Sequence, residues 1–189
     1  DPLATGLLIL CTGKYTKQIP QIQDASKIYT GTISLGATTP SYDLETEVNA
    51  TFPTEHITKE LVEKVRGQFV GDITQTPPLF SAIKKDGKRL YELARKGETT
   101  DVPKRAITIH ALELSLTGEK ELSFRVHCSK GTYIRSLAHD IGKALESGAH
   151  LASLRRIQIG DHSVSNAYIP EDFVQQFVNH TSDEPKTIL

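Results

Sequence analysis

An acidic side chain stands at the start of the chain, next to a proline and ahead of an apolar run. Asp1 is the only acid among the first twenty residues. Pro2 restricts the residue before it to extended backbone and donates no hydrogen bond, so Asp1 is predicted to lie on a loop. The run 7–11 (LLILC) is predicted to be a buried strand that fixes the far end of this loop. This arrangement suits a carboxylate that is held at a cleft. The same pattern occurs more often in an ordinary loop that leads into a strand.

A cation stands at the start of the strongest predicted helix. The stretch 129–138 (SKGTYIRSLA) has the pattern of a strand end, a glycine turn and a helix N-terminus. Backbone N–H groups at such a terminus favour a nearby anion, so the positive charge of Arg135 opposes the helix dipole. A cation in this place either pairs with a carboxylate or extends into solvent, and the pattern leaves both interpretations open.

An aromatic side chain lies near the start of a strand predicted over residues 26–37. In the two-residue period of a strand, Tyr29 shares a face with Ile33 and Leu35. Its ring is therefore predicted to point toward the core. There it either stacks on a ligand or packs as an ordinary strand tyrosine with its hydroxyl in water.

Several segments resemble motifs of the TruB family of pseudouridine synthases, and they occur in the family's order. They are 1–8 (DPLATGLL), 27–36 (KIYTGTISLG), 77–84 (PPLFSAIK), 129–138 (SKGTYIRSLA) and 151–156 (LASLRR). Each match is weak alone. Together they extend over most of the chain and are specific.

The resemblance implies a role for each matched side chain. Asp1 corresponds to the family's catalytic aspartate, and Arg135 corresponds to the arginine that pairs with it. Tyr29 corresponds to the tyrosine that stacks on the target base, a contact that contributes about 1–3 kcal/mol. The implied substrate-binding residues are Tyr133, Leu154, Lys84 and Lys130. A purely structural role for the segments around Lys84 and Leu154 stays open.

Strand and helix patterns are mixed along the chain. Residues 106–116 and 122–128 alternate and are predicted to form an antiparallel hairpin, with a bulge between Ile109 and Leu112. The strongest helix is predicted over 132–147, and a second over 58–66, capped by Thr58 and ended by Gly67. These patterns favour an α+β fold with a mainly antiparallel sheet flanked by helices. The TruB resemblance implies the same fold, with its cleft across the sheet.

The length and the motifs together predict the domain organisation. A chain of 189 residues suits one domain. The family motif continues upstream of its aspartate, so residues 1–180 are predicted to be a catalytic domain that lacks its N-terminal part. Residues 181–189 are predicted to be a tail, and no clear C-terminal RNA-binding domain is visible.

The net charge, the apolar runs and the cysteines of the chain indicate what kinds of partner and environment to expect. A net charge of −1 argues mildly against nucleic-acid binding, yet four cations fall within residues 84–89, which keeps RNA binding open. No run is long enough to span a membrane. The two cysteines are predicted to be buried thiols, which fits a cytoplasmic protein. A monomer is expected.

The resemblance implies conversion of uridine to pseudouridine at position 55 in the T-loop of tRNA. The base must be flipped out of the RNA at a cost of a few kcal/mol. The carboxylate then either adds to the base or promotes loss of a ribose proton, and the sequence leaves both routes open. Neither route needs a redox step or an activated water, so no cofactor or metal is expected. The alternative is a non-catalytic RNA-binding or tRNA-folding module. An aspartate-dependent phosphohydrolase is disfavoured, because no second acid follows Asp1 at the usual spacing.

Overall fold

The structure, a computed structural model, combines a large sheet with short helices and describes residues 2–81, 83–85, 88–95 and 102–178. The strands are β1 (Thr5–Gly6), β2 (Lys27–Leu35), β3 (Ala37–Thr38), β4 (Ala50–Thr51), β5 (Gly71–Gln75), β6 (Lys84–Lys85), β7 (Lys88–Arg89), β8 (Arg105–Gly118), β9 (Glu121–Cys128), β10 (Ala149–Ile159) and β11 (His162–Ser163). The α-helices are α1 (Ile19–Asp24), α2 (Lys59–Gln68), α3 (Leu90–Arg95), α4 (Ile134–Ala144) and α5 (Pro170–Phe173). Short 3-10 or π turns cover Gly13–Gln18, Val164–Asn166 and Val174–Val178.

One sheet dominates the described part of the chain. Its strand order is β1-β10-β2-β9-β8-β5, and β11 pairs with the end of β10. Every pairing in it is antiparallel except that of β1 with β10, which is parallel. The prediction of an α+β fold with a mainly antiparallel sheet is therefore confirmed.

The apolar face of this sheet carries the core. On β9, Leu122, Phe124 and Val126 are buried, and the residues between them face the other, more polar side. Helix α4 packs against β10, and α2 packs against β8. The register of β8 shifts between Ile109 and Ala111, which confirms the predicted bulge. The hairpin of β8 and β9 is likewise as predicted.

Helix α2 begins where the sequence predicts, whereas α4, predicted over 132–147, covers only Ile134–Ala144. The Thr58 hydroxyl accepts a hydrogen bond from the Leu61 N–H at 3.3 Å, which caps α2. The prediction that Gly67 ends this helix is wrong, because Gly67 lies inside α2. Over the described ranges, the structure contains no helix that is both long and apolar enough to cross a lipid bilayer.

The apolar run near the start of the chain differs from its prediction. Residues 7–11 are not a buried strand: β1 ends at Gly6, Leu8 is 70% exposed and Leu10 is 82% exposed. Of these five residues only Leu7, at 6% exposure, is buried, and Ile9 and Cys11 are half-buried. In this run apolar and polar residues do not alternate, so no period indicates which residues face the core. Its composition alone cannot distinguish a buried strand from an extended surface segment.

Candidate active site

A cavity of about 570 Å³ opens where β1, β2, β10 and the start of α4 meet. It is lined by Ala4, Thr5, Gly6, Leu7, Leu8, Tyr29, Thr132, Tyr133, Ile134, Arg135, Leu154 and Arg156. Four of the seven predicted site residues therefore line one cavity: Tyr29, Tyr133, Arg135 and Leu154. Asp1 lies outside the described residues, but the segment that follows it forms one wall of this cavity.

The loop that follows Asp1 is fixed to β10. Thr5 and Gly6 pair in parallel with Arg155 and Arg156, and the Leu7 N–H donates to the Arg156 carbonyl at 2.8 Å. The Arg156 side chain donates to the Leu7 carbonyl from Nε at 2.9 Å and from Nη2 at 2.6 Å. Sequence reasoning singled out Leu154 in this strand and missed the structural role of Arg156. The loop is thus held by backbone pairing and by one guanidinium together.

Gly6 allows the close approach of this loop to β10. Its φ is +95°, and a Cβ atom there would lie 2.2 Å from the Arg156 carbonyl oxygen. We expect Gly6→Ala to lower the free energy of unfolding by at least about 2 kcal/mol, because both the left-handed backbone and the clash oppose a side chain. Denaturant unfolding measures this change.

The matched control for that substitution is Gly67→Ala in α2. A Cβ atom at Gly67 would meet nothing within 4 Å. Alanine is the better helix former, so this variant should gain up to about 1 kcal/mol. Equal unfolding midpoints for the two variants would contradict the importance of the close approach at Gly6.

The start of α4 is fixed by a buried amide. The Gln75 side chain, 1% exposed, accepts a hydrogen bond from the Tyr133 N–H at 2.8 Å and donates to the Tyr133 carbonyl at 3.0 Å. One turn into the helix, the Ser136 hydroxyl donates to the Thr76 carbonyl at 2.8 Å. Because β5 ends at Gln75, these bonds join the helix start to the sheet. Arg135 therefore extends from a rigid base.

The Arg135 guanidinium is buried against a carboxylate. Nη1 lies 3.3 Å from Asp43 Oδ2 and donates to the Ser41 carbonyl at 3.2 Å. Nη2 donates to the Phe80 carbonyl at 2.8 Å. Arg135 is 8% exposed and Asp43 is 2% exposed, so this is a desolvated ion pair. The predicted contact of Arg135 with Asp1 stays a prediction, since Asp1 lies outside the described residues.

Asp43 is a second residue at this site whose role sequence reasoning missed. In the sequence it is one polar residue in a loop rich in chain breakers, with no spacing that marks it. In the structure, Oδ1 accepts a hydrogen bond from the Glu45 N–H at 2.9 Å, and the Asp43 carbonyl accepts from the Thr39 hydroxyl at 2.6 Å. The loop thus holds the carboxylate in place under the guanidinium.

Two tyrosine rings line the same cavity. Burial raises the pKa of the Tyr29 phenol, and the nearby Arg156 guanidinium acts in the opposite direction. The phenol is therefore neutral near pH 7. The guanidinium carbon of Arg105 lies 5.4 Å from the centre of the Tyr133 ring, a cation–π contact.

The remaining predicted residues differ in their positions. Leu154 is 8% exposed and pairs with Gly31 in the register of β10 and β2. Lys130 does not line the cavity among the described residues, and its Nζ donates to Asp24 Oδ1 at 2.6 Å. Lys84 lies in β6, and its side chain lies outside the described residues.

The cavity combines a cation, flat rings and an apolar floor. A buried guanidinium stabilises an anion beside it, and aromatic rings bind planar bases by stacking. In the described ranges, no group of three or more His, Cys, Asp or Glu side chains has the arrangement of a metal site. This combination suits a reaction at a planar, polar base.

Protein families described by sequence models match this chain along almost its whole length. Residues 1–134 match the family described as "TruB family pseudouridylate synthase (N terminal domain)". Residues 135–188 match "tRNA pseudouridylate synthase B C-terminal domain". The boundary between the two matches falls at the start of α4, next to Arg135.

Two curated bacterial relatives carry the name tRNA pseudouridine synthase B. The protein from Flavobacterium johnsoniae is 60% identical over 167 residues, which are 88% of this chain and 73% of that protein. The protein from Bacteroides fragilis is 55% identical over 175 residues, which are 93% of this chain and 75% of that protein.

Two solved structures share the fold. One is described as "Crystal Structure of a Cbf5-Nop10-Gar1 Complex", with a TM-score of 0.70 and 25% identity over 97% of this chain and 45% of that chain. The other is described as "Structure of H/ACA RNP bound to a substrate RNA containing 2'-deoxyuridine", with a TM-score of 0.59 and 24% identity over 86% of this chain and 37% of that chain. The chain spans less than half the length of both.

Proposed function

This chain belongs to the TruB family of pseudouridylate synthases, and we propose that it converts uridine to pseudouridine at position 55 in the T-loop of tRNA. The observation that carries this proposal is the cavity at the start of α4. In it, the buried guanidinium of Arg135 lies beside Tyr29 and beside the loop that follows Asp1. Family membership supplies the reaction class, and the cation and the rings that line the cavity support the proposal.

The reaction is an isomerisation that exchanges one glycosidic bond for another. The bond between ribose C1′ and uracil N1 breaks, the base turns, and a bond forms between C1′ and C5. C5 loses its hydrogen to solvent, and N1 gains one. In the proposal, the Asp1 carboxylate starts this sequence, either by adding to the base or by promoting loss of a ribose proton. Both routes need the carboxylate to be ionised.

Arg135 is proposed to keep Asp1 charged and correctly directed in a site that excludes water. An opposite charge within a few ångströms favours the ionised form of a carboxyl group. The guanidinium is itself held by Asp43 and by the Ser41 and Phe80 carbonyls. Because those partners fix its plane, it can direct a second carboxylate without reorganising during the reaction.

Tyr29 is proposed to hold the detached base by stacking. We expect Tyr29→Leu to slow turnover roughly ten- to hundredfold, since about 1–3 kcal/mol of stacking is lost. Tyr29→Phe keeps the ring and should retain most of the activity. Single-turnover release of tritium from tRNA labelled at uridine C5 measures both.

The exposed Tyr168, which contacts Phe173 outside this cavity, offers a matched control for the loss of a ring. Tyr168→Leu should leave turnover unchanged. If Tyr29→Phe were as slow as Tyr29→Leu, the hydroxyl rather than the ring face would be the important group, and the stacking role would be wrong.

Residues 1–180 are proposed to work as one catalytic unit with the T-arm of tRNA as partner. The two matched families meet between Ile134 and Arg135, yet β10, which follows this boundary, pairs with β2, which precedes it. One sheet therefore contains strands from both parts. Monomeric assembly and a cytoplasmic location complete the proposal.

Tritium release tests the proposed reaction and its target together. A tRNA transcript labelled at C5 of its uridines should release tritium in proportion to one uridine per molecule. A transcript with cytidine at position 55 should release none. Binding of tRNA without any release would instead support the alternative, a non-catalytic RNA-binding or tRNA-folding module.

A further inference from the structure

Tyr42 lies between Ser41 and Asp43, two of the residues that contact Arg135, and its backbone is strained. Its φ is +63°, a left-handed conformation that side chains other than those of Asn and Asp rarely adopt. The turn at Tyr42 brings the Ser41 carbonyl and the Asp43 carboxylate to the same guanidinium nitrogen, at 3.2 and 3.3 Å. The strained residue is therefore what allows both contacts.

A stacked pair of rings holds Tyr42 in this conformation. The ring of Tyr42 lies parallel to that of His139, with centroids 3.8 Å apart and an interplanar angle of 12°. His139 follows Arg135 by four positions in α4, so both side chains lie on one face of the helix. The Tyr42 backbone is held as well, because its carbonyl accepts from the Leu151 N–H at 2.9 Å.

The His139 ring is neutral, and its hydrogen bond with the Ala149 backbone leaves the ring face free to stack. Burial, reinforced by Lys143, lowers the pKa of His139 to about 4. Its Nδ1 atom is buried and has no hydrogen-bond partner among the described residues. An uncharged ring that stacks face to face fits a packing and positioning role.

We propose that the Tyr42–His139 stack is a positioning device for the reaction, which keeps Ser41 and Asp43 on Arg135. The inference rests on the proposed function, because Arg135 matters to turnover only if the cavity is the active site. Helix α4 then holds the loop at two points, through Arg135 at its start and through His139 one turn later. Loss of the stack should release Asp43 and leave Arg135 misdirected, while RNA binding stays intact.

Tyr42→Gly tests the contribution of the Tyr42 ring apart from that of the strained backbone. Glycine adopts the left-handed backbone freely, so this variant removes the stack without adding strain. We expect the single-turnover rate at saturating tRNA to fall about tenfold, with KM unchanged, because a small displacement of a catalytic group is costly. His139→Leu keeps the volume, removes the stack and should act alike. Tyr42→Phe and His139→Phe keep two rings and should restore the wild-type rate.

Glu146→Gly is the matched control for relief of backbone strain. Glu146 is exposed, has a φ of +53° and lies just after α4, away from Arg135. This variant should keep the wild-type rate. Melting temperatures of all variants show which of them are folded, and His139→Leu replaces Tyr42→Gly should the latter be unfolded.

The kinetic constants decide the outcome. Tyr42 also lines a second cavity of about 550 Å³ together with Pro77 and Lys104, so direct contact with RNA is the competing explanation. A raised KM with an unchanged rate would overturn the proposal in favour of that contact. An unchanged rate with only a lower melting temperature would overturn it in favour of plain stability. Absence of tritium release by the wild-type protein would instead contradict the proposed function itself.

Discussion

Asp1→Asn is expected to abolish tritium release while leaving tRNA binding largely intact. Asparagine has the shape of aspartate but carries no charge, so it can neither add to the base nor favour loss of a ribose proton. Removing a group that acts directly on the reacting atoms costs at least about 1,000-fold in turnover. Single-turnover tritium release measures the chemistry, and a filter-binding assay with the same labelled tRNA measures affinity.

Asp161→Asn is the control for the loss of one negative charge. Asp161 is exposed and lies in the turn between β10 and β11, outside the cavity lining. This variant should release tritium at the wild-type rate. Undiminished turnover by Asp1→Asn would exclude Asp1 as the catalytic carboxylate, whereas parallel loss of binding would show that its charge supports RNA affinity instead.

Arg135→Ala is expected to lower turnover at least about 100-fold and also to destabilise the fold. The substitution leaves the Asp43 carboxylate buried without its cation, and an uncompensated buried charge costs about 3–5 kcal/mol. Arg135→Lys keeps the positive charge but loses the planar fork that contacts Ser41, Asp43 and Phe80 together. Its turnover should therefore fall between those of Arg135→Ala and the wild type. Denaturant unfolding and single-turnover kinetics are both required.

Arg125→Ala is the matched control for Arg135→Ala, because it removes an arginine from the opposite, polar face of the sheet. Arg125 pairs with Glu113 at 3.5 Å, and the side chains are 42% and 68% exposed, so little stability should be lost. If Arg135→Ala were less stable but reacted at the wild-type rate, the ion pair would serve the fold alone. The proposed role of Arg135 toward Asp1 would then be wrong.

The parts of the fold that could be predicted from sequence are those with a clear period. The stripe of Leu137, Ala138 and Ile141 marks α4, and alternation marks β8 and β9, including the bulge after Ile109. Membership of the TruB family follows from short motifs in a fixed order, and the family matches confirm it. Each of these signals is local, so one sequence is enough to detect it.

The parts that could not be predicted depend on contacts between distant segments. Asp43 meets Arg135 only because the loop after β3 folds back onto α4, and Gln75 meets Tyr133 only because β5 ends beneath the same helix. The periodicity of the sequence gives no sign of either contact. The apolar run 7–11 misled for a related reason, since its burial depends on which neighbours cover it.

The position of β2 in the sheet has a consequence for synthesis on the ribosome. Its neighbours on both sides come much later in the chain: Cys128 of β9 contacts Lys27 across 101 residues, and Ser153 of β10 contacts Thr32 across 121. The strand that carries Tyr29 therefore waits unpaired until β9 has been translated, and it gains its second neighbour only with β10. A nascent chain that ends before β10 therefore lacks one of the two strands that hold the strand of Tyr29 in place.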